Sequence, residues 1–183
     1  MSARETYSIE LAGLPRELPL FEITPGLKIA ILNILGDTEL VEACAGALAE
    51  KSREMPFDVI ITAESKSIPL AHALAHRLNK PYVVLRKGYK FYMGEALKAD
   101  THSITTGAPQ SLFLDEKDHA LVNGRRVMLL DDVISTGSTL EGMRKLMIQA
   151  GAQVVVEAAI CTEGDQETWN GIVSLAHLPL FKE

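Results

Sequence analysis

The sequence predicts an α/β fold, a central and mostly parallel sheet flanked by helices, and three observations predict it. Short apolar runs at residues 57–62, 82–85, 127–130 and 154–161 read as strands buried on both faces. Helical stripes stand between several of these runs, so strand and helix alternate as a parallel sheet requires. Polar turns rich in small residues follow two of the runs, at 62–67 and 131–139. That places chemistry outside the carboxyl ends of strands, where open α/β sheets bind their ligands.

The elements follow in order. Residues 7–35 hold short β-like pieces, including 27–35, broken by Pro15, Pro19 and the pair Pro25-Gly26. Gly36-Asp37-Thr38 opens a helix with Val41, Cys44, Ala45 and Leu48 on its apolar face. After the strand at 57–62, a helix over about 67–78 turns Leu70, Ala71, Leu74 and Leu78 inward, and Pro81 precedes the strand at 82–85. A polar stretch from Arg86 to Gln110 carries few core signals and reads as a long loop. A strand at 111–114 and a turn at Asn123-Gly124 lead to the strand at 127–130. Leu140, Met143, Met147 and Ala150 then form a helical stripe that Gly151 ends, with Glu141 and Lys145 as an i,i+4 pair. The strand at 154–161 and apolar pieces at 172–175 and 178–181 complete the chain.

Composition narrows the function classes. A chain of 183 residues, 47% hydrophobic and 23% charged, suits one soluble domain. Its net charge of −6 and pI near 5.4 argue against a general nucleic-acid or membrane binder. No apolar run approaches a membrane span, and Met1-Ser2-Ala3-Arg4-Glu5 is no signal peptide, so a cytoplasmic location is expected. Cys44 and Cys161 lack metal-type spacing and read as reduced core thiols.

The most informative segment is Val127-Met128-Leu129-Leu130-Asp131-Asp132-Val133-Ile134-Ser135-Thr136-Gly137-Ser138-Thr139. Two carboxylates follow a buried strand, and a run of small hydroxyl residues with one glycine offers backbone N–H groups to an anion. Ser138 to Glu141 also reads as a helix capping box, which accounts for two of these residues but leaves the adjacent like charges unexplained. A phosphate-loop NTPase fails as a reading, because no G-x-x-x-x-G-K-[ST] occurs in the chain.

This segment resembles the phosphoribosyl pyrophosphate (PRPP) signature of type I phosphoribosyltransferases and matches it at every position. The resemblance implies that fold, with a small N-terminal hood over about residues 1–35, a PRPP-binding core over 36–162 and a tail over 163–183. It implies that Asp131 and Asp132 hold the ribose hydroxyls, while Val133, Ser135, Thr136, Gly137, Ser138 and Thr139 wrap the ribose 5′-phosphate.

Two further constellations fit the adenine-type members. Thr62-Ala63-Glu64-Ser65-Lys66-Ser67 lies where those enzymes carry the pyrophosphate loop, usually Glu-Ala-Arg-Gly. Glu64 and Lys66 match in position and sign, Ser65 stands between them, and Ser67 replaces the glycine. Arg86 and Lys87 match as well, and Lys90 adds a third cation among Tyr89, Phe91 and Tyr92, a cluster suited to a pyrophosphate leaving group. The stretch 88–110 is similar to the family's flexible loop. His72 and His76 stand four apart on one helix, but no third ligand accompanies them, so a histidine pair without metal is the better reading.

The implied reaction is displacement of pyrophosphate from PRPP by a nucleobase nitrogen, with Mg²⁺ held mainly through PRPP and reaching Asp131 or Asp132 through water. Purine is the expected base, adenine ahead of xanthine, hypoxanthine or guanine. The Arg-Asp pair that helps build the adenine pocket is missing, since the corresponding stretch reads Ile31-Leu32-Asn33-Ile34-Leu35. Threonines stand around residues 103–107, where the family's loop carries a glutamate. These departures keep a PRPP- or nucleotide-sensing protein open as the alternative. The family also implies a homodimer. No DNA partner is expected, because the proline-broken β segments ahead of the first core strand do not read as helix-turn-helix.

Overall fold

The computed structural model describes residues 4–102 and 109–182. The chain opens with β1 (Thr6–Leu11), β2 (Leu14–Thr24) and β3 (Leu27–Ala30), an antiparallel meander. Then come α1 (Thr38–Ser52), β4 (Val59–Ala63), α2 (Ile68–Leu78) and β5 (Tyr82–Leu85). A hairpin of β6 (Leu97–His102) and β7 (Pro109–Leu114) follows, and after it the short α3 (His119–Val122). The second half holds β8 (Arg126–Ile134), α4 (Ser138–Gln149), β9 (Gln153–Glu163), β10 (Val173–Leu178) and β11 (Phe181–Lys182).

Five of these strands form the parallel sheet, in the order β10-β9-β8-β4-β5. Both faces are covered, which is why β4 and the first part of β8 are apolar without alternation. One face packs Met128, Leu130 and Ile160 against α1, α2 and the N-terminal meander. The other packs Val127, Leu129 and Ile61 against α4 and the hairpin. Gly142 lets α4 lie this close, since a Cβ there would overlap Thr101 of β6.

Local chemistry sets the helix boundaries. Asp37 caps α1 by accepting from Leu40 N at 3.1 Å. The Arg16 guanidinium grips Asp37 with two hydrogen bonds of 2.9 and 3.1 Å and also reaches Glu39, which fastens the meander to the start of α1. Pro69 opens α2, and Asn79 in the left-handed region closes it.

The structure departs from the sequence reading in four places. The stretch 88–110 is not one loop, because its described part contains β6 paired to β7. Ser111 to Leu114 belongs to that antiparallel hairpin rather than to the parallel sheet, touching β5's continuation only through an Arg86–Phe113 bridge. β8 does not stop before the carboxylates: β9 runs alongside it as far as Ile134, so Asp131 and Asp132 lie within the strand. The capping box is absent too. Gly137, at φ 76°, is the N-cap, so Ser138 is the first helical residue and the N-cap itself supplies no side-chain bond. The Glu141–Lys145 pair does form, at 2.7 Å. Part of the apolar tail is used within the chain, where β11 pairs with β3 and Phe181 meets the Tyr7 ring edge-on at 5.2 Å.

Candidate functional site

The ends of two neighbouring strands, β8 and β4, build the site. Beyond β8, residues 135–139 turn back around Gly137 and begin α4, so the first N–H groups of that helix face the turn. Thr136 Oγ1 donates to Ser138 Oγ at 3.2 Å and receives Ser138 N at 3.4 Å. Val133, Ser135, Thr136, Gly137, Ser138 and Thr139 line a cleft of about 160 Å³ together with Asp131 and Gln110. A wider groove of about 940 Å³ lies between α1 and α2, lined by Glu42, His76 and Arg77, away from every one of these residues.

At the end of β4 the residues are engaged with one another. Ser67 Oγ donates to Asp131 Oδ1 at 2.7 Å and accepts from Asp132 N at 3.0 Å. Lys66 Nζ stands 2.7 Å from Asp132 Oδ2, an ion pair without hydrogen-bond alignment, and donates to the Leu32 carbonyl at 3.3 Å. Glu64 pairs with Arg86 and accepts from Lys87 N at 2.8 Å. The peptide between Glu64 and Ser65 is cis. Thus Glu64, Lys66, Ser67 and Arg86 converge on the acidic pair or on each other. Lys87 joins through its backbone alone, its side chain being exposed, and Lys90 lies farther along at the start of a short 3-10 turn.

The electrostatics follow from this packing. Burial, and after it the neighbouring Asp132 charge, pushes the Asp131 carboxyl up to about 7, while the Ser67 hydroxyl and the Asp132 amide pull the other way. Asp131 keeps a part-exposed edge towards the cleft, so the protein encloses it on the remaining sides only. The Arg86 guanidinium is held more firmly charged, chiefly by Tyr92 and then by Glu64.

A sequence pattern described as Phosphoribosyl transferase domain matches residues 32–169. The chain belongs to this family. Among relatives, an adenine phosphoribosyltransferase of Mycobacterium avium is 29% identical over 94% of this chain and 91% of its own length. The purine biosynthesis transcriptional repressor PurR of Bacillus subtilis is 31% identical over 74% of this chain and 49% of its own length. The chain therefore spans about half the length of the regulators it matches. A solved adenine phosphoribosyltransferase of Thermoanaerobacter pseudethanolicus superimposes with a TM-score of 0.68, at 23% identity, over 94% of this chain and 95% of that one. That likeness establishes the fold, hood included.

Three features of this phosphoribosyltransferase domain escape the sequence reading. The Leu32 carbonyl reaches the site from the hood segment by holding Lys66. Trp169 lies against the turn at 135–139: a Cβ on Gly137 would come within 2.8 Å of its ring, and its Nε1 donates to the Glu163 carbonyl at 2.9 Å. Glu163 itself is a buried acid at the end of β9. The lone tryptophan was the available signal for the second. His72 and His76 stand exposed on α2, and among the described residues no group of three metal-type side chains forms. The threonines around 103–107 lie outside the described residues. No helix among the described residues is long and apolar enough to cross a membrane.

Proposed function

We propose that this domain binds PRPP and transfers its 5-phosphoribosyl group to a purine, adenine favoured, with release of pyrophosphate. One observation carries the reading. An acidic pair at one strand end adjoins a cleft of hydroxyl and amide donors on one side and, on the other, Lys66 and Glu64 from the end of β4 with Arg86 from the end of β5. A ligand that joins a phosphate, a diol and a pyrophosphate in that order presents the matching chemistry.

On this reading residues 135–139 hold the 5′-phosphate, Asp131 and Asp132 accept from the ribose hydroxyls, and Lys66 with Arg86 neutralises the departing pyrophosphate. The transfer develops positive charge on the ribose, as glycoside hydrolysis does, so the carboxylates below the sugar favour the transition state. No protein nucleophile is required. The chain's contribution is to orient the two reactants and to supply charge where it develops.

The donor set suits Mg²⁺: Asp131 and Asp132 offer hard oxygens, and Asp131 presents a part-exposed edge to the cleft, while Asp132 Oδ2 is held by the Lys66 ammonium. Bound with PRPP, the ion would neutralise pyrophosphate charge. A cytoplasmic homodimer is the proposed state, and sedimentation as a monomer at micromolar concentration would count against the assembly.

A second reading has its own support. Lys66 and Ser67 are already engaged with the acidic pair, and the chain resembles a transcriptional repressor as well as enzymes. A PRPP- or nucleotide-sensing domain would keep the cradle without turnover. Incubation with Mg²⁺, PRPP and a panel of nucleobases, following pyrophosphate and nucleotide, separates the two. Nucleotide formation with a purine is expected. PRPP binding with no product from any base would favour the sensor.

A further inference from the structure

The turn at 135–139 does little to hold itself. Its side-chain bonds are the Thr136–Ser138 contacts of 3.2 and 3.4 Å, and Gly137 adopts φ 76°. Glycine takes positive and negative φ about equally readily, so this conformation needs support from outside the turn. Donors carried on a loop keep their aim only when packing locks them.

Trp169 supplies that support. The edge of its six-membered ring fills the space where a side chain at 137 would begin: a Cβ there would lie 2.8 and 3.4 Å from two ring carbons. The indole therefore bears directly on the glycine backbone. It also packs on the core that holds Ile134 and Leu140, the apolar residues on either side of the turn. Its anchor is rigid. Nε1 donates to the Glu163 carbonyl at 2.9 Å, and Glu163 is paired to Leu178 in the parallel sheet. The segment that carries the indole is a short 3-10 turn over Gln166–Trp169, where Asp165 accepts from Glu167 N at 3.0 Å and Ile172 N donates to the Trp169 carbonyl at 2.9 Å. A cavity of about 290 Å³, lined by Gln166, Asn170 and His177, borders the same residue, so packing alone does not confine the ring. The Nε1 bond keeps it forward.

We propose that Trp169 is a positioning residue for the ribose 5′-phosphate: its ring holds Gly137 in the left-handed conformation and so keeps the N–H groups of the turn aimed into the cleft. The inference rests on the PRPP-site reading above and adds to it a residue outside the signature segment. A turn without this brace reaches the cradle shape only part of the time, and apparent affinity falls by that fraction. Trp169 itself touches no reactant and acts through Gly137.

Trp169 is the sole tryptophan of the chain, so its emission reports this contact without interference. Ribose 5-phosphate is titrated into the wild type by calorimetry and by tryptophan fluorescence, and into Trp169→Ala and Trp169→Phe by calorimetry. Pyrophosphate with Mg²⁺ serves as a ligand for the other half of the site. The wild type is expected to show a saturable emission change with the calorimetric midpoint. Trp169→Ala should bind ribose 5-phosphate about tenfold more weakly, as a turn in the cradle shape about a tenth of the time would, with pyrophosphate affinity within about twofold. Trp169→Phe keeps an aromatic ring without the Nε1 bond and should fall between; if Trp169→Ala does not fold, this variant decides alone. Unchanged ribose 5-phosphate affinity in the variants overturns the proposal. So does an equal loss for pyrophosphate, which marks a purely structural residue, and so does wild-type emission indifferent to bound ribose 5-phosphate. A wild type that shows no calorimetric binding of ribose 5-phosphate removes the site reading itself, and the proposal falls with it.

Discussion

The two halves of the candidate site end adjacent strands of one sheet, yet they are satisfied differently. The turn after β8 leaves most of its donors directed into a cleft, its internal bonds limited to the long Thr136–Ser138 contacts. The turn after β4 spends its polar groups on the protein: Lys66 on Asp132 and Leu32, Ser67 on Asp131, Glu64 on Arg86. On the proposed reading the first half is a preformed anion cradle, whereas the second would exchange internal partners for ligand oxygens, at a cost in binding energy that couples pyrophosphate recognition to the state of the acidic pair.

The largest expected effect falls where the halves meet. Asp131→Asn or Asp132→Asn should lower kcat by about 10²-fold or more, the scale of losing one electrostatic contact in a transition state. Near-wild-type turnover in both would break the ribose assignment and with it the contrast.

Next comes the cradle itself. Gly137→Ala forces a side chain onto a backbone at φ 76° and against the Trp169 ring. A loss of about 1–3 kcal/mol in unfolding free energy is expected, with weaker ribose 5-phosphate binding. Chemical denaturation and calorimetry would show both, and an unaffected variant would mean that the turn is not held in this shape.

The acidic pair makes a pH prediction of similar or smaller size. Asp131 is raised to about 7 when folded. Between the ordinary carboxylate pKa near 4 and that value the folded state holds a proton the unfolded chain has released, so stability falls as pH rises through this window. About 1–2 kcal/mol should be lost between pH 5 and 8, and Asp131→Asn should flatten that slope. A wild-type slope of opposite sign in urea titrations would contradict the account. Asp37 and Asp58, held below their usual range by Arg16 and Arg126, act in the other direction and only at more acid pH.

Ser67→Ala sharpens the comparison further. It removes a hydrogen bond to a charged group, so kcat/KM for PRPP should drop about tenfold with the fold intact. Unaltered kinetics would show that the β4 turn does not govern the carboxylates. The smallest effect is assigned to His72→Ala and His76→Ala, on the exposed face of α2, where stability should stay within about 0.5 kcal/mol and activity should be unchanged.

The strand–helix alternation and the carboxylate-to-hydroxyl turn were readable from residues close in sequence. Apolar runs mark buried strands, and the stripe Leu140, Met143, Met147 marks a helix face; all three side chains are fully or almost fully buried. Most of β7 was readable, as the strand at 111–114; β6 was missed because the buried side of its alternation is carried by Ala99 and Thr101, too small or too polar to stand out as an apolar pattern. The capping box was misread because a left-handed glycine at 137 shifts the helix start by one residue, which a residue pattern alone cannot distinguish.

By itself the sequence determined the fold class, the family resemblance and the chemistry at the end of β8, because strand, turn and helix start are contiguous there and their geometry is local. Only the tertiary structure decided that Ser67 meets Asp131 across 64 residues, that Leu32 holds Lys66, and that Trp169 braces Gly137. Those contacts depend on the order of strands in the sheet and on how the hood folds over it. Periodicity reports which face of an element is buried, but not which other element buries it.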